Sequence, residues 1–247
     1  MTALGDAALV GRLAGAGVVF TEHGRGYLEL RKKKRVLANQ VLFRLPSTHL
    51  AVREFARQAL VDVEGFPADR VQVLCNGVQA APRSDLKPPE TLRAQLGLRP
   101  RAPIGGICAR LSPEKSLGML LEAERLARVQ HPDRHLVIAG DGPERALLEQ
   151  TRQKSGLTCA VHLLGFRDDV SALVRMFDVF ASPSLTEGTS VTLLEAMLAV
   201  RPVGATRVGG NPEIVGHGVS RRIKRRRGHG VSNRLIATES SASRRFW

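Results

Sequence analysis

The 247-residue sequence is short of aromatic side chains and of cysteine, with one Trp, one Tyr, eight Phe and three Cys. So few rings leave no series of platforms on which the bases of a single-stranded nucleic acid could stack. Cys75, Cys108 and Cys159 are odd in number, widely spaced and without histidine partners. That excludes a disulfide framework or a zinc site and fits small buried hydrophobes in a reducing, cytoplasmic setting. Long apolar runs are absent too. No stretch approaches the roughly 18–20 residues needed to cross a bilayer. Near the start, Asp6 and Arg12 interrupt the apolar residues, so nothing there reads as a secretory signal. Acidic residues are scarce, 23 against 37 Lys and Arg, for a formal charge of +14. The excess is uneven: residues 218–247 hold nine Lys or Arg and one acidic residue, Glu239, and so more than half of it. The body of the chain is only mildly basic, which argues against specific nucleic-acid binding.

What the sequence does have is alternation. Leu9–Ala14 reads as helical, Val18-Val19-Phe20 as a short strand running into Thr21-Glu22-His23-Gly24, Ser47–Leu60 as a helix, and Val71–Cys75 as a strand closed by Asn76-Gly77. Between them Arg31-Lys32-Lys33-Lys34-Arg35 reads as a solvated helix face, with an anionic membrane surface as the alternative. Ala80–Pro89, with three prolines, is the linker candidate. Beyond it strands at 104–109, 135–139, 161–164, 179–181 and 203–206 alternate with helices, the rhythm of an open parallel sheet covered on both faces. The expected organisation is a partial first domain over 1–90, a second domain over 91–217, and a basic tail over 218–247 without regular structure. In such sheets ligands lie outside the carboxyl ends of the strands.

Glu187 and Glu195 bracket Gly188-Thr189-Ser190-Val191-Thr192-Leu193-Leu194. Pro183 ends the preceding strand, and Gly188 permits a positive φ. Thr189 or Ser190 can cap a helix lasting to about Arg201, just before Pro202. Free N–H groups and a positive dipole end at Gly188, Thr189 and Ser190 suit a phosphate. Glu195 then lies roughly 8–9 Å along the axis, so a diphosphate at the helix start would have a carboxylate on each side. By spacing alone, a solvated acidic loop with a helix-surface glutamate is the better reading; the surrounding motifs decide otherwise.

The other motifs are Ala109-Arg110-Leu111-Ser112-Pro113-Glu114-Lys115, Gly140-Asp141-Gly142-Pro143, Leu164-Gly165-Phe166 and Gly209-Gly210-Asn211-Pro212-Glu213-Ile214-Val215. With these in order along one α/β pattern, residues 18–217 resemble the retaining glycosyltransferases of family 4. That resemblance implies the GT-B fold of two facing Rossmann-like domains. It implies transfer of a sugar from a UDP-, GDP- or ADP-sugar to a hydroxyl of a glycan, lipid or small molecule, without metal or other cofactor. It also implies that Arg110 and Lys115 neutralise the donor diphosphate, a role that a planar fork and a mobile point charge suit physically. An ordinary surface ion pair with Glu114 is their alternative. By the same resemblance Glu187 contacts the donor sugar, His23 faces it across the cleft, and Glu195 holds the ribose. The backbone of Gly188–Ser190 meets the phosphate, while Gly142 and Phe166 border the nucleotide. For Phe166 a place in the core serves as well.

The sequence departs from the family at Gln79, Ser116 and Val200, the last two standing where glycine is usual. It departs further at its ends. The family's opening strands and closing helices are not matched, and after Gly216-His217 the sequence turns basic and repeats Gly-His-Gly-Val-Ser at 228–232. A fragment of a transferase with an aberrant, frame-shifted tail is expected, located in the cytoplasm or at the inner face of the membrane. Two other readings are a nucleotide-sugar-binding fragment without turnover and, less favoured, a nucleic-acid binder acting through the tail.

Overall fold

The computed structural model describes residues 3–24, 36, 37, 39, 44, 48–80, 87–215, 220–222 and 235–238. Arg31–Arg35, residues 81–86 of the expected linker and most of the tail lie outside the described residues. The chain forms two units. The first comprises Met1–Asn76 with Thr186–Thr189 and Gly209–Glu213; the second comprises Gly77–Leu185, Ser190–Val208 and Ile214–Trp247. The first unit therefore ends ahead of residue 90 and takes in two segments from much later in the chain.

In the first unit, α1 (Ala3–Leu13) and β1 (Val19–Glu22) precede β2 (Thr48–Ala51), α2 (Glu54–Asp62) and β3 (Val71–Val73). The strands are parallel in the order β1-β2-β3. The expected helix over Ser47–Leu60 is thus a strand followed by a helix. Thr48-His49-Leu50-Ala51 pairs on both edges, and its alternating half-buried and buried residues follow the two-residue period of a strand. Pairing and burial override a helical pattern that local periodicity alone allows. A small core of Ala51, Ala56, Leu60, Phe66 and Val71 closes against Phe20, whose ring stacks on Phe66 at 6.2 Å.

The second unit contains α3 (Pro89–Gln95), β4 (Ile104–Cys108), α4 (Leu117–Ala127), β5 (His135–Ala139), α5 (Arg145–Lys154), β6 (Val161–Gly165), α6 (Val170–Met176), β7 (Val179–Ser182), α7 (Val191–Leu198) and β8 (Val203–Thr206). Then come α8 (Asn211–Val215), which begins in the first unit, β9 (Ser220–Arg222) and β10 (Leu235–Thr238). Its sheet has the order β6-β5-β4-β7-β8-β10-β9, with β4 to β8 parallel. All five strands expected between Ile104 and Thr206 form, and the α/β class with parallel sheets holds. Central β4 is buried along its whole length. A Cβ at Gly106 would overlap the ring of Phe177, so a residue without a side chain lets that ring lie flat on the strand. The strand order reverses at β4: the chain first builds outward through β5 and β6, then returns to β7 on the other side. At such a reversal the connections leave toward opposite faces, and a crevice opens beyond the carboxyl ends of β4 and β7.

Two features differ from expectation. Part of the basic tail is regular: β10 lies antiparallel to β8, with Leu235 opposite Thr206, and β9 lies antiparallel to β10. With β7 on its other side, β8 leaves one edge open, and the apolar run Leu235-Ile236-Ala237 supplies its partner. Helix α7 also stops short of Arg201. Its end is a Schellman arrangement, with Val200 N–H donating to Met197 O (3.0 Å) and Arg201 N–H to Ala196 O (2.9 Å). This places Val200 at φ +56, a left-handed conformation for a β-branched residue. Ser116 adopts φ +50. The two positions where the family usually has glycine are thus the two described non-glycine residues with positive φ.

Left-handed backbone costs an L-residue about 1–2 kcal/mol, against about 0.5–1 kcal/mol for the extra unfolded-state freedom of glycine. Val200 is 81% exposed and loses little packing on truncation. Val200→Gly is expected to raise unfolding stability by about 0.5–1 kcal/mol, measured by thermal or urea unfolding. A variant no more stable than the parent would contradict this account of the helix end.

Candidate nucleotide-sugar site

In the second unit the loops beyond β4 and β5 lie backbone to backbone. Leu111 N–H donates to Asp141 O (3.0 Å), and Glu144 N–H donates to Leu111 O (3.0 Å). A Cβ at Gly140 would overlap Ala109 O, and one at Gly142 would overlap Leu111 O. The Gly-Asp-Gly run is therefore a steric requirement of two touching loops. Arg110, on the first of them, is exposed, and its guanidinium has no hydrogen bond or ion pair among the described residues. Lys115 closes a 3-10 turn, Pro113–Lys115, and is half-buried.

Glu114 is held by its own turn. Ser112 Oγ donates to Glu114 Oε1 (2.6 Å). That bond foremost, then a backbone hydrogen bond and the fields of Lys115 and Arg110, holds the carboxyl below its usual range. The surface-pair alternative for Arg110 is not realised. Nor does Ser112 or Ser116 cap by its hydroxyl: Ser112 Oγ is engaged by Glu114, and Ser116 is left-handed. The loop beyond β7 is tied to the same turn, Leu185 N–H donating to Glu114 O (2.8 Å).

Helix α7 starts as expected at a serine cap, Ser190 Oγ accepting from Leu193 N–H (3.4 Å). Glu195, one turn on, is half-buried, and its Oε2 is buried without a hydrogen-bond partner. Burial raises its pKa. The Cys108 thiol at the end of β4 is pushed up to about 12 by burial first and then by the carboxylates of Glu195 and Asp169. Glu195 thus overlooks the end of β4, and Cys108 is inert as a nucleophile. Phe166, just past β6, is 81% exposed, which removes its core alternative. An unpaired arginine, a lysine, a capped helix start, a carboxylate oxygen lacking a donor and an exposed ring are thus carried on one sheet.

The first unit gathers the remaining expected residues. His23 is exposed just beyond β1, and Glu187 is buried. A Cβ at Gly24 (φ +103) would overlap Gly188 Cα, one at Gly188 would overlap His23 O, and one at Gly210 would overlap Gly188 O. Gly210 N–H also donates to Glu187 O (3.1 Å). The His23-Gly24 and Glu187-Gly188 segments, distant in sequence, are therefore in backbone contact, with Gly209-Gly210 closing over them. Thr189 Oγ1 is buried without a partner, so it caps nothing.

Two residues join this group without having been singled out. Glu213 accepts hydrogen bonds from Glu54 N–H (3.0 Å) and Phe55 N–H (2.7 Å), capping α2 with both carboxylate oxygens. Its motif is legible in the sequence, but the capping role pairs residues far apart in the chain. Arg53 lies beside Gly210, its Nε buried and without a partner; no local signal marks it.

The second unit is an open, largely parallel α/β sheet whose loops and helices carry the unpaired Arg110 guanidinium, Lys115, the Ser190-capped helix start and the partnerless Glu195 oxygen. Residues 102–237 match the family model described as "Glycosyl transferases group 1", and the chain belongs to that family. It is 31% identical over 175 residues to 2-deoxystreptamine glucosyltransferase of Streptomyces kanamyceticus, covering 69% of this chain and 42% of that protein. It is 31% identical over 206 residues to the putative glycosyltransferase EpsF of Bacillus subtilis, covering 80% and 53%. Among solved structures, Anabaena HepE in complex with UDP and glucose superposes with a TM-score of 0.75 at 28% identity, covering 87% of this chain and 60% of that one. These neighbours carry the GT-B fold. The chain spans about half the length of these curated relatives.

Capping bonds to a helix start contribute about 0.5–2 kcal/mol. Glu213→Ala is expected to destabilise the first unit by about 1–2 kcal/mol. Glu213→Gln should lose less, because the amide keeps one acceptor oxygen. Urea unfolding reads both; an alanine variant as stable as the parent would show that the cap carries no weight.

Proposed function

We propose that this architecture transfers a sugar from a nucleoside diphosphate sugar to an acceptor hydroxyl, with retention of anomeric configuration and without a metal ion. The observation that carries the reading is the buried, partnerless Oε2 of Glu195 on the helix that Ser190 caps. A carboxylate in that state accepts a ribose hydroxyl without first giving up a bond. Arg110 and Lys115, with the free N–H groups at the start of α7, supply the positive charge that a leaving diphosphate needs. Phe166 and Gly142 border the nucleotide, Gly188 and Thr189 lie against the phosphate, Glu187 accepts from the sugar's hydroxyls, and His23 faces the sugar. In the transfer, the bond from the anomeric carbon to the phosphate oxygen breaks and its electron pair leaves with the diphosphate. The acceptor oxygen bonds to the same face of that carbon, and its proton passes to the departing phosphate oxygen. The structures of HepE with UDP, with UDP-glucose and with UDP and glucose support a uridine nucleotide as the first donor to test.

The setting we propose is the cytoplasm or the inner face of its membrane, with a glycan, lipid or small-molecule acceptor. Among the described residues no helix is long and apolar enough to cross a membrane.

Arg110→Ala and Lys115→Ala are each expected to weaken UDP binding about tenfold or more, since charge-assisted hydrogen bonds contribute about 1.5–3 kcal/mol. Calorimetric titration checks this, and unchanged affinity in both variants removes the phosphate site. A nucleotide-release assay over a panel of UDP-, GDP- and ADP-sugars, with and without chelator, tests transfer. Turnover that survives chelation and disappears in Glu187→Ala supports the reading, whereas donor binding with no turnover leaves a nucleotide-sugar binder.

Acidity gives a second check. Because burial raises the pKa of Glu195, its charged, accepting form is lost as pH falls at values above the usual carboxylate pKa of about 4.3. UDP affinity should therefore decline on acidification before ordinary carboxylates titrate. Glu195→Gln should flatten that decline.

A further inference from the structure

The opposite end of the second unit's sheet carries a cluster that the donor reading leaves unused. His135 opens β5 and His162 is the second residue of β6, side by side in the parallel register of Val137 with His162. His162 Nε2 and His135 Nδ1 are 3.2 Å apart, with the rings at 5.3 Å. One ring must therefore donate and the other accept, so at most one of the two facing nitrogens carries a proton. Both rings are half-buried.

Three arginines act electrostatically on the pair, Arg128 and Arg99 on His135 and Arg152 on His162. Arg128 follows the last turn of α4, Arg152 lies in the last turn of α5, and Arg99 precedes β4. Arg128 Nη1 donates to Arg134 O, and Arg152 Nη1 donates to Val161 O (3.1 Å). These two guanidinium groups are thus anchored by backbone carbonyls. None of the three has an ion pair with a carboxylate among the described residues. The nearby Glu124 is buried and held by Arg134 at 3.0 Å. On His135 only Asp133 and a hydrogen bond with the Ala160 backbone oppose the arginines. Burial foremost, then Arg128 and Arg99, pushes the His135 pKa down; burial, then His135 and Arg152, does the same to His162. Three arginine charges, with Asp133 as the carboxylate acting on His135 and Glu124 already engaged by Arg134, form a site short of counter-ions. The same charges repel a divalent cation, which otherwise suits an imidazole pair.

We propose that His135 and His162, with Arg99, Arg128 and Arg152, form an oxyanion site for phosphate groups at the amino ends of β4, β5 and β6, and that binding there is coupled to proton uptake by the imidazole pair. Planar guanidinium forks match tetrahedral oxyanions bidentately. A bound dianion favours imidazolium, so the pair gains a proton on binding and the anion holds more tightly as pH falls from 8 toward 6. Two sources share this chemistry, a soluble phosphate and the headgroup of an anionic lipid. The site is independent of the donor reading, since no residue is shared.

The test is calorimetric titration with sulfate and with inorganic phosphate at pH 8 and pH 6, in the parent chain and in Arg110→Ala, which disables the donor-side loops. Sulfate stays a dianion over this range, so its pH dependence reports the protein alone. We expect sulfate binding to tighten about threefold to tenfold at the lower pH, to persist in Arg110→Ala and to be lost in Arg128→Gln/Arg152→Gln. In His135→Gln/His162→Gln it should persist without pH dependence. Imidazole nitrogen resonances of the parent chain should move toward the protonated form as sulfate is added, a readout independent of whether variants fold. Sedimentation with phosphatidylglycerol and with phosphatidylcholine vesicles separates the sources. Binding only to the anionic vesicles, lost in the double-arginine variant, assigns a lipid headgroup. No binding to soluble anions or vesicles, binding indifferent to the arginines, or sulfate affinity equal at both pH values would overturn the proposal.

Discussion

Two stretches of backbone cannot lie in van der Waals contact if either carries a Cβ at the point of approach, and the first unit depends on such a contact. Gly24, Gly188 and Gly210 interlock, each in a place where a side chain would overlap a neighbour's backbone. The consequence reaches the chemistry through Glu187 and His23. Each is one residue from an interlocked glycine, so their backbones are positioned by contacts that tolerate no displacement. A helix cap from Glu213 to α2 adds a second tie among the same segments. Substituting any of these glycines would have to move backbone, because no flexible side chain stands in the way.

In the second unit the governing constraint is electrostatic. Most charged groups outside the candidate sites are engaged by carboxylates or carbonyls: Arg93 holds Asp178 (3.2 Å), Arg134 holds Glu124, and Arg167 holds Asp169. At the carboxyl ends of the strands the pattern differs. Arg110 is unpaired, and one oxygen of Glu195 is buried without a donor. Buried polar atoms without partners carry a free-energy cost of about 1–3 kcal/mol, and a ligand offering phosphate and hydroxyls at the same place removes it. The amino ends of the strands repeat the imbalance in another form, with Arg128 and Arg152 anchored on carbonyls beside an imidazole pair. One sheet thus presents unmatched charge at both poles, with opposite requirements on acidification: anion binding at the imidazole pole is expected to strengthen and nucleotide binding at the carboxylate pole to weaken.

Much of this was legible in the primary structure. The five parallel strands from Ile104 to Thr206 announce themselves because each is a short, largely apolar run between polar helices. Ser190 as the cap of α7 and Gly-Asp-Gly as a loop follow from local chemistry. Ser116 and Val200 stand out against the family's glycines, and both are left-handed, the two such non-glycine residues among those described. Reading was weaker where partners decide. Thr48–Ala51 has helix-compatible spacing and becomes a strand only because β1 and β3 lie on either side. Leu235–Thr238 sits in a basic, aperiodic tail and becomes regular because β8 offers an open edge.

The sequence by itself determined the family, the order of strands and helices in the second unit, and the types of residue available for phosphate and sugar. Those are properties of local periodicity, spacing and chemical type. Only the tertiary structure decided that His23 and Glu187 belong to one unit, that Glu213 caps a helix more than 150 residues earlier, and that Phe166 is exposed. It alone decided that His135 and His162 face one another among arginines. Each of these depends on which strand lies beside which and on how closely backbones approach, and a chain read one neighbourhood at a time carries no record of either.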